Sequence, residues 1–170
     1  RPLLPNTRFI RFNDEEDLEL ISTKTAAVII ETIQGGAGFI LPENDYLLKV
    51  KKRCEAVGAL LILDEIQPGF GRTGRFFGFE NFNVIPDIIV MGKGMGGGLP
   101  VGAFSASHEL MRNFEEKPKL GHITTFGGNP VIAAASLATL RVIRDSKLMR
   151  DIPEKEALFR AELNHSKIKS

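Results

Sequence analysis

Two apolar runs in this 170-residue chain end in groups that can do chemistry. "ALLILDE" (59–65) closes on Asp64 and Glu65, and "DIIVMGK" (87–93) closes on Lys93. A third run, "TAAVIIET" (25–32), ends with Glu31. An anion and an amine at the ends of neighbouring strands form a plain ion pair, or they grip a small aromatic cofactor between them. Pyridoxal phosphate requires both groups. Its aldehyde condenses with a lysine amine, and its ring nitrogen must stay protonated to act as an electron sink. A carboxylate beside that nitrogen favours the protonated form, and lysine is the residue type that forms the Schiff base.

A phosphate needs hydrogen-bond donors. "GHITTFGGNP" (121–130) offers the hydroxyls of Thr124 and Thr125 and the amides around Gly127 and Gly128, directly before a helix. The glycines of "GKGMGGG" let backbone come close to a ligand. Each feature also has an ordinary reading as a helix cap, a loop lysine or a turn, and single residues leave both readings open. In "GKGMGGG" the glycines follow the lysine and no Ser or Thr comes next, so this is not a nucleotide-binding P-loop. His108, His122 and His165 lack metal-ligand spacing, and no metal is expected.

The elements that must position these groups are legible from periodicity. Residues 25–32, 59–65 and 87–93 are short, apolar and β-branched, which predicts strands, the first of them buried on both faces. Residues 100–107 predict a fourth strand. "PENDYLLKVKKRCEAVG" (42–58) predicts an amphipathic helix with Asn44 as N-cap and Gly58 as its C-terminal glycine. Leu47, Val50, Cys54 and Val57 fall on its apolar face, and its lysines on a solvated one. Residues 129–146 predict a second long helix, with Asn129 as N-cap, Pro130 at the first position and a deeply packed alanine-rich half. The stretch 154–170 reads as a mostly polar helix. Strand, helix, strand at this spacing predicts a mainly parallel sheet, with ligands gathering beyond the carboxyl ends of its strands.

Bulk composition narrows the function classes. A net charge of +1 spread over 22 basic and 21 acidic residues carries no electrostatic footprint for nucleic acid or an acidic membrane. No apolar run reaches membrane-spanning length. Cys54 is the single cysteine, which fits a reducing compartment and a cytoplasmic location. The chain lacks an initiator methionine and is expected to be a fragment.

Taken together, "AAVIIETIQGGAG", "LLILDEIQPGFGRTGRFFGFE", "PDIIVMGKGMGGGLPVGA" and "TTFGGNP" resemble four successive signatures of the class III aminotransferases. These are fold-type I pyridoxal phosphate enzymes that include ornithine, acetylornithine and 4-aminobutyrate aminotransferases. The resemblance implies an α/β fold in which residues 1–150 are the central part of the cofactor-binding large domain. Residues 151–170 would begin the helix leading to a truncated carboxyl-terminal small domain. It implies transfer of an amino group from an amine or amino acid to a 2-oxo acid, in a homodimer with shared active sites. By position, Lys93 resembles the Schiff-base lysine, Asp64 the carboxylate on the pyridine nitrogen, and Gln67 the residue at the cofactor's phenolic oxygen. Thr125 resembles the threonine that reaches the phosphate of the neighbouring subunit, and Glu31 a glutamate at the edge of the site.

Three positions depart from the family pattern. Thr32 stands where proline is common, Gly36 where ornithine-type members carry a second glutamate, and Pro68 where threonine is frequent. The family's phosphate-binding glycine–serine segment and ring-stacking aromatic lie outside this chain. The isolated piece is therefore expected to bind cofactor weakly and to self-associate through exposed apolar surface. An aminomutase or racemase of the same superfamily is the alternative chemistry.

Overall fold

A computed structural model of the chain describes residues 4–116, 119, 122–163 and 165. Four strands form one sheet in the order β1 (Ala27–Glu31), β2 (Leu60–Asp64), β3 (Ile88–Gly92) and β4 (Gly102–Ala106). The first three run parallel and β4 is antiparallel to β3, so the sheet is mainly parallel. Helices α1 (Tyr46–Val57), α2 (His108–Met111), α3 (Asn113–Glu116), α4 (Pro130–Asp145) and α5 (Ile152–Glu162) flank it. The helical reading of 154–170 holds as far as Glu162; residues 164 and 166–170 lie outside the described residues, as does Gly121 of the "GHITTFGGNP" motif.

Alternation along the strands sorts the two faces of the sheet. Val28, Leu61 and Leu63 point to the face covered by α1 and are buried with Leu47, Val50 and Cys54 of that helix. Ile29, on the other face, is 72% exposed. The expectation that the first strand is buried on both faces is thus corrected: among the described residues β1 is an edge strand, and one of its faces is left open.

α1 begins on Asp45, which takes a left-handed conformation without a side-chain cap, rather than on an Asn44 cap. Asn44 has itself gone left-handed, at φ 47°, so it cannot hold the extended backbone a capping residue needs. The helix ends as expected on Gly58, left-handed at φ 77°. Its cations do more than face water. Lys51 Nζ donates to Asp87 Oδ1 at 2.9 Å, and Asp87 Oδ2 accepts from Leu61 N at 2.7 Å, tying the helix to the entrance of β3.

Cys54 is fully buried in that core, and burial pushes its thiol up to about 11. Thiolate is the reactive species. At pH 8 the peptide carrying Cys54 should therefore remain unmodified by a thiol reagent in the folded protein and react completely in denaturant. Mass mapping with rapid labelling in the native state would refute this.

α4 starts as the sequence requires, with Asn129 Oδ1 accepting from Val131 N at 3.0 Å and Ile132 N at 3.2 Å. Its packing corrects the expectation. Ser136 is its one buried residue among those described, while Val131 is 67% exposed. The helix is held along one flank, where Thr139 lies against Gly97; a Cβ there would fall 2.1 Å from Thr139 Oγ1. Ile132, Leu140 and Ile143 are half-buried, whereas Val131, Leu137 and Val142 stay exposed.

Candidate active site

Three parallel strands deliver their last residues to one edge of the sheet. Register pairs Glu31 with Asp64 and Asp64 with Val90, and the strand period turns all three to the face away from α1. Adjacent strands lie about 4.8 Å apart. Lys93 follows three residues after Val90, at the point where β3 becomes a 3-10 turn, Lys93–Gly96. Its φ of 42° is left-handed. For a residue with a side chain that conformation costs on the order of 1–3 kcal/mol and is met mainly where function requires it.

A line of contacts then runs across this edge. Lys93 is exposed, and its Nζ donates to Gln67 Oε1. Gln67 passes so close to Gly35 that a Cβ at that glycine would come within 2.9 Å of Gln67 Cγ. Gly35 N in turn donates to Glu31 Oε2 at 3.0 Å. Glu31 therefore anchors the loop that leaves room for Gln67, and Gln67 receives the amine of Lys93. Asp64, half-buried, accepts from Ile66 N through Oδ1 at 2.9 Å, and its Oδ2 takes no hydrogen bond among the described residues.

Of the five residues singled out in the sequence, four thus share one edge: Glu31, Asp64, Gln67 and Lys93. Thr125 does not join them. It lies on an exposed turn ahead of α4, and no hydrogen bond links it to that group among the described residues. In the same turn Gly127 N donates to Thr124 O at 3.2 Å, so this amide is already engaged.

Glu65 is the residue whose importance sequence reasoning missed. It is 0% exposed, and its carboxylate accepts three hydrogen bonds. Thr32 Oγ1 donates to Oε1 at 2.5 Å, Phe79 N to Oε1 at 3.0 Å, and Gly78 N to Oε2 at 2.7 Å. Burial pushes the carboxyl above the usual glutamate range, partly offset by those three donors. Parity was the available signal: if Asp64 faces the open side, its neighbour must face inward.

The three departures from the family pattern fare differently. Thr32, fully buried, is a donor that proline could not be. Gly36 borders open space, since a Cβ there would meet nothing within 4 Å. Pro68 is buried against Gly78, where a Cβ would come within 2.8 Å of Pro68 Cβ.

This donor set fits pyridoxal phosphate in its ring portion. An accessible amine, a carboxylate with an unengaged oxygen and an amide side chain converge at the ends of adjacent strands.

Known proteins match this arrangement along nearly its whole length. The family model described as Aminotransferase class-III matches residues 8–170. Acetylornithine aminotransferase of Methanosarcina acetivorans is 45% identical over 163 residues, covering 95% of this chain and 40% of that protein. An ornithine aminotransferase structure from Toxoplasma gondii, whose description records partial occupancy of PLP at its active site, superposes with a TM-score of 0.90 at 33% identity. That match covers 99% of this chain and 40% of the other. Acetylornithine aminotransferase from Elizabethkingia anophelis superposes with a TM-score of 0.79 at 37% identity, covering 91% and 39%. The chain therefore spans about 40% of the length of the curated relative it matches.

Proposed function

Because this chain belongs to the class III aminotransferase family, with the fold-type I architecture of its structural relatives, we propose that the full-length protein is a pyridoxal phosphate-dependent aminotransferase. It passes an amino group from an amine or amino acid to the cofactor and then to a 2-oxo acid. Residues 1–150 belong to the large domain, and residues 151–170 lead toward a smaller carboxyl-terminal one. Relatives named as aminotransferases favour this chemistry over an aminomutase or racemase.

The cofactor, when bound, supplies an electron sink for the carbon beside the substrate nitrogen. Lys93 would hold it through Nζ and would then carry a proton at that same atom between the substrate carbon and a carbon of the cofactor. Asp64 would serve the ring nitrogen with Oδ2, which takes no hydrogen bond among the described residues. Gln67 sets the direction of the Lys93 amine through Oε1 and would border the phenolic oxygen. Glu31 acts on this group through Gly35.

Thr125 serves the phosphate in a neighbouring subunit. Support for a homodimer is that this residue stands on an exposed turn beside the exposed Ile123 and Phe126, away from Lys93. A cytoplasmic location, with no nucleic-acid or membrane partner, fits the balanced charge. Among the described residues no helix is long and apolar enough to cross a membrane.

The single observation that carries this reading is the Lys93–Gln67 contact at the sheet edge where Asp64 ends the adjacent parallel strand. Its test is borohydride reduction of the full-length protein after incubation with pyridoxal phosphate, followed by peptide mapping. One labelled residue, Lys93, is the expected result. Label scattered over surface lysines would sink the assignment.

A further inference from the structure

Asp64 and Gln67 bracket Glu65, and the ways in which Glu65 is held decide where both neighbours lie. Its backbone is fixed at two points: Glu65 N donates to Val90 O at 2.9 Å, and Glu65 O accepts from Gly69 N at 3.0 Å. Its side chain turns away from the active edge and collects donors from two other parts of the chain. Gly78 N and Phe79 N come from the far end of the glycine-rich turn, at 2.7 and 3.0 Å. Thr32 Oγ1 comes from the residue directly after Glu31, at 2.5 Å. Through backbone and carboxylate together, this one buried residue joins the end of β1, Val90 in β3 and both ends of the turn that carries Gln67.

Glu31 and Thr32 are adjacent, and they face opposite sides of the sheet. Glu31 holds Gly35, against which Gln67 packs, while Thr32 holds Glu65. The loop after β1 and the turn after β2 are therefore tied on both sides of the sheet edge. Every other donor to Glu65 is a backbone amide, which side-chain exchange cannot delete; Thr32 is the side-chain member of the set.

We propose that Thr32 is a positioning residue: through its hydroxyl on Glu65 it sets Asp64 and Gln67 for the cofactor ring and the Lys93 amine. This rests on the aminotransferase reading above. Thr32 touches neither substrate nor cofactor. It acts by fixing the register between two loops, and misplacement of about 1 Å at such a site costs up to about 100-fold.

The test uses the full-length protein with pyridoxal phosphate as the probe, comparing wild type with Thr32→Val and Thr32→Ser. Valine keeps the shape and removes the donor; serine restores the donor. Thr32→Val should weaken cofactor binding by about tenfold, a ΔΔG of about 1.4 kcal/mol. It should also displace the pH midpoint of the cofactor's visible absorption band, and Thr32→Ser should return both toward wild type. Neither the midpoint nor the serine rescue is expected of a residue that only fills space. Wild-type affinity and an unchanged midpoint in Thr32→Val would overturn the proposal while leaving the aminotransferase reading intact. Failure of wild type to trap pyridoxal phosphate on Lys93 would overturn that reading and this proposal with it. Hydrogen exchange on the unmutated protein gives a measurement independent of variant folding. The amides of Gly69, Gly78 and Phe79 should exchange as slowly as those of β2, and fast exchange there would also overturn the clamp.

Discussion

Lys93→Ala in the full-length protein is expected to lower kcat for amino transfer by about 10⁴-fold or more, because one atom is given two tasks. In the proposed mechanism the Nζ that holds the cofactor is also the proton carrier, so removing it would take away covalent catalysis and acid–base catalysis together. Lys93→Arg should be equally inactive, since a guanidinium keeps charge and reach but does not condense with an aldehyde. The backbone makes a further distinction possible. Lys93 has φ 42°, and glycine relieves that strain where alanine does not. Lys93→Gly should therefore match Lys93→Ala in its loss of activity yet be more stable by about 1 kcal/mol. Single-turnover kinetics and thermal unfolding read the two effects separately. A loss smaller than tenfold in kcat would remove Lys93 from the mechanism.

Separating chemistry from backbone strain in this way depends on features that sequence shows unequally. Where a strand ends is written in its composition: the apolar runs before Glu31, Asp64 and Lys93 stop where polar chemistry begins, and parallel pairing then forces those ends to one edge. That much of the site could be read without coordinates. The left-handed turn at Lys93 could not, because lysine carries no signal for positive φ. Nor could the passage of Gln67 over Gly35, which depends on two loops meeting that are distant in the chain. In the sequence Thr32 shows only as a departure from a common proline position. It is a buried donor, and only the position of Glu65 reveals this. The reading of α4 failed for a related reason. Periodicity shows that a helix has apolar surface, and only tertiary context decides what meets it. Here Gly97 and Thr139 hold one flank and Val131 stays open.

Glu65→Ala is expected to cost about 3–5 kcal/mol, a large share of the 5–15 kcal/mol that holds a typical domain together. The loss is not that of one contact. Thr32 Oγ1, Gly78 N and Phe79 N would all be left inside without an acceptor, each at about 1–3 kcal/mol. Glu65→Gln should cost less, since its amide oxygen still accepts on one side while its NH₂ now opposes a donor on the other. The pH dependence separates charge from shape. Burial raises the Glu65 carboxyl above its ordinary 4.5, so between that value and the folded one the native state binds more protons than the unfolded state. Stability from this group is complete below the ordinary value and is lost as pH rises through the folded one. Glutamine does not titrate. The destabilisation by Glu65→Gln should therefore be greatest at acid pH and shrink toward neutrality, measured as the difference in unfolding free energy at each pH. A penalty that stays constant as pH rises would show that hydrogen bonding to the ionised carboxylate cancels its desolvation, and one that grows would show that it outweighs it.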